Sequence, residues 1–228
     1  MSSISVAHDL SFDSPVLRLK ELHERSCRMQ EAVVCAFNQI LDLKDLNTGV
    51  HSTRLAEWGL RLGRQLGMDD DELRDLELAA LVHDIGKVGI PDAILRKPGR
   101  LTDEDRMLMN KHPEYGWAIL RVIPGFERTS LLTLHHHEQF DGCGYPGGLR
   151  GGEIPLGSRI IAVIDAFDAM ISNRPYRQGL PVAEAVRRLL AAKGTQFDPV
   201  VVDGFIPMCT AESSAVFAAT GTSVTALL

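Results

Sequence analysis

The sequence predicts an all-α fold, and three observations carry that expectation. Apolar residues recur at helical spacing, alternation with a period of two is hard to find, and paired capping residues mark helix starts. Val16, Leu19, Leu22, Met29, Val33, Phe37 and Leu41 place one long helix over residues 15–46, with no Pro or Gly between Val16 and Asn47. Its polar face carries Lys20, Glu21, Glu24, Arg25 and Arg28. Its apolar stripe awaits either a helix from a second copy, making a homodimer, or the chain's own body. Asp69 with Glu72 fits a capping box opening a helix toward Leu81, and Thr102 with Asp105 fits another before Met107 and Leu108. Pro181 suits the first turn of a helix through Leu190, and Asp198-Pro199 suits the cap and first turn of a last one.

Two loops interrupt the helices. Residues 86–100 contain Pro91, Pro98 and Gly99; residues 141–157 contain Gly142, Gly144, Gly147, Gly148, Gly151, Gly152 and Gly157. A glycine-rich loop of that length inside a domain is more often functional than idle. The tail from Thr210, rich in Ala, Ser and Thr, is expected to be weakly ordered. The chain thus divides into an N-terminal helical segment (1–45), a central domain (46–205) and a C-terminal tail (206–228).

A chain of 228 residues can bury a real core without disulfides or metal staples. With 24 Lys+Arg against 30 Asp+Glu, the formal charge of −6 argues against coating nucleic acid, so no DNA partner is expected. Met1–Ser14 is polar and offers no signal-peptide core, and no run reaches the ~18 apolar residues that span a bilayer. Cys27, Cys35, Cys143 and Cys209 form no CxxC, which suits free thiols in a reducing cytosol. A cytoplasmic protein with no membrane partner is the expectation.

The chemistry lies in histidine and aspartate. His83-Asp84 ends the apolar stretch from Leu76 to Val82, and Lys87 lies one turn past His83. His112 precedes Pro113, so the helix from Asp103 is expected to break there and aim the imidazole into a cavity. His135-His136-His137 follows an apolar flank, with Glu138 placed to orient a ligand ring from behind. Asp165 sits within Ile160–Phe167, where an ionised carboxylate is expensive unless paired or metal-bound, and Asp168 lies one turn on. With His51, these groups suit two or more divalent ions. Imidazole and carboxylate without thiolate fit iron, manganese, zinc or nickel.

The chain resembles the HD-GYP family, a branch of the HD phosphohydrolases. The motifs are His83-Asp84-Ile85-Gly86-Lys87, the run His136–Pro146 ending in Gly144-Tyr145-Pro146, Asp165–Met170, and Arg174-Pro175-Tyr176-Arg177. The resemblance covers roughly residues 45–205. It implies an HD-domain helical bundle, with 46–205 as the catalytic domain, that hydrolyses cyclic di-GMP to pGpG, GMP or both. It implies two divalent metals, iron or manganese before zinc or nickel, held by His51, His83, Asp84, His112, His136, His137 and Asp165. His136 and His137 are chosen over His135 because the family's pair directly precedes the glutamate. Lys87, Tyr145, Arg174 and Arg177 match substrate-holding positions, and the Gly144-Tyr145-Pro146 loop offers a substrate wall or a protein-docking surface. Asn47 stands where three-metal members carry glutamate, which implies a two-metal site. Gln139 and Asn173 also depart from the family pattern.

On this resemblance Asp84 bridges the metals, with His51, His83 and Asp165 on one and His112, His136 and His137 on the other. A hydroxide held between them attacks phosphorus while Lys87 offsets charge on the phosphate oxygens. Arg174 and Arg177, three apart, share a face suited to a phosphate. Competing readings are a phosphohydrolase for another nucleotide and a nucleotide- or protein-binding module.

Overall fold

A computed structural model of the chain describes residues 15–44, 48–173 and 178–220, which hold ten α-helices and no β-strand. In order they are α1 (Pro15–Lys44), α2 (Thr48–Gln65), α3 (Asp70–Val82), α4 (Asp92–Leu95), α5 (Asp103–Met109), α6 (His112–Leu120), α7 (Glu127–Leu134), α8 (Leu156–Ile171), α9 (Val182–Ala191) and α10 (Pro199–Thr220). Asn47, Arg174 and Arg177 lie outside the described residues.

Local side chains set the helix starts. The Asp69 carboxylate accepts from Glu72 N at 2.8 Å and the Glu72 carboxylate from Asp69 N at 3.0 Å, closing the expected capping box on α3. Thr102 and Asp105 do the same for α5. Asp198 accepts from Val200 N at 2.7 Å at the start of α10. Pro181 is the N-cap of α9 rather than part of its first turn.

Two apolar clusters meet on α3. The larger packs Leu55, Trp58 and Leu62 of α2 and Leu76, Ala79 and Ala80 of α3 against the apolar side of α8, with α9 and α10 behind. Trp58, Phe167 and Phe205 lock it edge to face, with ring centroids 5.1–5.6 Å apart. The smaller cluster joins Val34 and Leu41 of α1 to Leu78 and Val82 of α3, Ile85, Leu120 and Phe126. Because α3 carries apolar residues on two faces, its C-terminal end at Val82 is held between both clusters. That end delivers His83 and Asp84.

Several expectations are corrected. The stretch 86–100 is not all loop: a 3-10 turn covers Ile85–Gly89 and α4 follows. Gly157 lies inside α8, and a second 3-10 turn occupies Gly151–Glu153. The chain breaks after α5 at Asn110-Lys111, one step before His112, which instead opens α6. Pro113 is tolerated there because its missing N–H would have no intrahelical acceptor in the first turn anyway.

Gly86 is a contact point between elements. A Cβ on it would lie 1.8 Å from the carbonyl oxygen of His112 and 2.5 Å from Gly116 N, both backbone atoms of α6. Only hydrogen lets the turn after α3 approach α6 this closely. Gly86→Ala is expected to destabilise the fold by about 3 kcal/mol, read as a lower denaturant midpoint. Gly152→Ala, with open space around its Cβ, should change stability by less than about 0.5 kcal/mol.

Candidate metal centre

Three helices end at one place, each with a histidine. His83 caps α3, His112 follows α5, and His136 lies two residues past α7. In each ring Nδ1–H donates to the carbonyl three residues back: His83 to Ala80 at 2.9 Å, His112 to Met109 at 2.8 Å, His136 to Thr133 at 2.6 Å. Those carbonyls belong to last helical turns, where acceptors lack intrahelical donors. Since a carbonyl only accepts, Nδ1 must carry a proton, and in the neutral form of each ring Nε2 presents a lone pair to the interior.

These lone pairs meet one another. Nε2 of His112 and Nε2 of His136 stand 3.3 Å apart, and His83 Nε2 is buried with no hydrogen-bond partner. Asp84 enters between them, with Oδ2 3.4 Å from His83 Nε2 and Oδ1 3.4 Å from His112 Nε2. Acceptors facing acceptors in a buried space repel unless a cation lies among them, so this donor set fits divalent metal. The groups form two trios, His112/His136/His137 and His51/His83/Asp165, and within each the ligand atoms lie within 4.8 Å of one another. Asp84 offers one oxygen toward each.

The second trio draws on α2 and α8. His51 Nε2 faces Asp165 Oδ1 at 3.1 Å, while its Nδ1–H donates to Asp168 Oδ2 at 2.5 Å. Asp168 is 1% exposed and also pairs with Arg54 and accepts from Ser172 Oγ at 3.2 Å. The carboxylate that burial leaves in need of partners is therefore Asp168, whereas the Asp165 side chain keeps 25% of its surface exposed. Hydrocarbon adjacent to Asp165 in sequence turns away from it around the helix. Arg54 and Ser172 escaped the sequence reading, and Asp168 was given no role. The signal was the i, i+3 repeat, His51 with Arg54 on α2 and Asp165 with Asp168 on α8.

Around this centre, Lys87 Nζ donates to Asp84 Oδ2 at 2.6 Å. Tyr145 lays its ring against His137, with centroids 5.1 Å apart, so the Gly144-Tyr145-Pro146 loop walls one side of the centre. Gly144 passes tightly behind, where a Cβ would fall 2.2 Å from Gln139 N. His135 turns away toward Glu138. Glu138 does not orient His136 or His137 as expected; its carboxylate accepts from Gly147 N at 2.6 Å and Leu149 N at 3.1 Å, pinning the glycine-rich loop. The Thr133 carbonyl already serves the His136 ring, as the local geometry of a helix end allows. All four cysteines are free, and among the described residues no helix is long and apolar enough to cross a membrane.

A sequence model of the HD domain family matches residues 36–201. The chain belongs to the HD domain family. The resemblance to its HD-GYP branch, drawn from the separated motifs, holds. The chain is 34% identical to the cyclic di-GMP phosphodiesterase response regulator RpfG of Xanthomonas campestris, over 85% of this chain and 56% of that protein. It is 40% identical to 3'3'-cGAMP-specific phosphodiesterase 3 of Vibrio cholerae, over 74% of this chain and 37% of the relative. The chain thus spans about half the length of the curated relatives it matches. Among solved structures, an HDG"Y"P protein from Bdellovibrio bacteriovorus superposes with TM-score 0.60 at 23% identity, over 72% of this chain and 53% of that one. That likeness shows the HD fold.

The two trios of the HD domain differ electrostatically. Burial, and then mutual repulsion, pull His112 and His136 below the usual imidazole range and His137 to about 4. These rings are neutral and rich in lone pairs. Burial also disfavours charge on His51, but its hydrogen bonds to Asp165 and Asp168 prevail and raise it to about 9. Burial raises Asp165, and the His51 contact overcomes this, bringing it to about 2. Asp84 is held well below its ordinary value: burial opposes ionisation, and Lys87 with the surrounding imidazoles outweighs it.

This makes metal-free stability pH-dependent. His51 binds its proton more tightly when folded, so its contribution is full below 6.5 and lost as pH rises toward 9. Asp165 contributes fully above 3.8 and loses its effect as pH falls toward 2. Chelator-treated protein is expected to lose roughly 1–3 kcal/mol between pH 6.5 and 9, seen as a falling melting temperature. His51→Gln should flatten that slope.

Proposed function

We propose that this chain is a metal-dependent phosphodiesterase that hydrolyses cyclic di-GMP to pGpG, GMP or both. The observation that carries this reading is the inward convergence of Nε2 lone pairs, with Asp84 reaching both trios. His51, His83 and Asp165 would hold one divalent ion and His112, His136 and His137 the other, with a carboxylate oxygen of Asp84 on each. Iron or manganese is the first expectation, zinc or nickel the second. Bound there, two such ions would lower the pKa of a shared water and offset charge on a phosphodiester.

The chain's own groups complete the site. Carbonyl acceptors behind His83, His112 and His136 keep the rings in one tautomer and orientation. Asp168 does the same for His51 from the far side. Lys87, now on Asp84, stands within reach of a phosphate oxygen once that carboxylate is otherwise engaged. The Tyr145 ring supplies a flat wall for a base, and Gly144 and Pro146 set where it stands. Arg174 and Arg177 are assigned to substrate phosphates on the sequence motif alone.

Relatives named for cyclic di-GMP and for 3'3'-cGAMP both match at comparable identity, so cyclic GMP-AMP is the second substrate to test. Product analysis with each dinucleotide, under reducing anaerobic conditions with iron or manganese, separates them. Metal-loaded protein that binds a dinucleotide without turnover would overturn the enzymatic reading.

Asp84→Ala is expected to lose bound metal by elemental analysis and to lower hydrolysis by at least about 10³-fold; retained turnover overturns the bridging assignment. Arg174→Ala should raise KM well before it lowers metal content. Equal loss of both would make Arg174 structural.

A further inference from the structure

The metal centre leaves the outer face of α1 unused. The inner face is accounted for: Gln30, Val34 and Leu41 are buried against the body of the domain. Round the helix, a second apolar stripe runs at heptad spacing. Leu19 and Ile40 fall at position a, and Leu22, Met29 and Leu43 at position d; Val33, at a third a position, also packs against the smaller core, and Ser26 and Ala36 fill the two remaining sites. Leu19 is 66% exposed, Met29 62% and Leu43 82%.

We propose that α1 pairs with α1 of a second copy of this chain as a two-stranded coiled coil through this seam. The spacing identifies the occupant. A stripe repeating every 3.5 residues tracks a partner helix with the same repeat, because supercoiling keeps both seams facing each other. The seam runs from Leu19 to Leu43, about 36 Å of helix, and covering it removes on the order of 700 Å² per protomer. That approaches the roughly 800 Å² per side of a standard stable interface. The N-terminal part of α1 needs such cover: from Leu17 to Ser26 every side chain is exposed. A helical stretch that short is marginal in water without tertiary packing. Ser26 at an a position is a polar break in the seam and gives the pair a reason to hold one register.

The proposal stands independently of the enzymatic reading and is tested by mass. Sedimentation of the full chain between 1 and 100 µM is expected to give a dimer, twice 25.0 kDa. Leu22→Lys combined with Met29→Lys should give the 25.0 kDa monomer, its far-UV circular dichroism falling by no more than the N-terminal turns of α1 contribute, since the rest of the helix keeps its packing on the domain. Met29→Lys alone, a milder change, should weaken the dimer at least about tenfold. Val200→Lys, at an exposed apolar site on α10, should leave the dimer intact. A wild-type chain that stays monomeric at 100 µM overturns the proposal. So does a dimer that survives the double substitution.

Discussion

His83, His112 and His136 each tie Nδ1–H to a carbonyl at the end of the helix just before them, and much of the molecule follows from that. The bond satisfies an acceptor that helix geometry leaves without a donor, and it fixes the tautomer. It also obliges the opposite nitrogen to face inward as a lone pair. One such ring is unremarkable for a protein interior. Three aimed at one volume, with Asp84 among them, leave the protein unable to satisfy its own interior with hydrogen bonds alone. The helices are held in this arrangement by contacts well away from the imidazoles. The two faces of α3 fill two cores, and Gly86 lets the following turn lie against α6.

Asp84 joins two unlike environments. On one side three neutral imidazoles gather, and His112 and His136 turn accepting nitrogens inward. On the other, His51 carries a proton between Asp165 and Asp168, so an internal charge pair occupies the space. Asp168 extends that side into the scaffold through Arg54 and Ser172, the residue that closes α8. The glycine-rich loop on the opposite wall is held by Glu138, whose two loop amide contacts place Tyr145 beside His137.

A fold of this kind gives α1 two duties. Its inner residues complete the smaller core beneath the site. Its exposed heptad flanks that core, which Val33 touches as well. Val34, Leu41, Val82 and Ile85 pack in one cluster, and Val82 and Ile85 flank His83-Asp84 in the chain.

Local chemistry was legible in the sequence. The capping boxes of α3 and α5, the start of α10 and the length of α1 depend on residues within a few positions of each other, so pattern alone determined them. The residues that converge on the centre were legible too, because His and Asp set in apolar helix ends demand partners. Partner choice was not legible. Glu138 is adjacent to His137 in sequence yet serves Gly147 and Leu149, because a backbone carbonyl had already taken the role expected of it. Asp165 lies in an apolar run yet is partly exposed, because rotation about α8 buries Asp168 in its place. Which atom faces which depends on how helices distant in sequence pack together, and only the tertiary structure decides that.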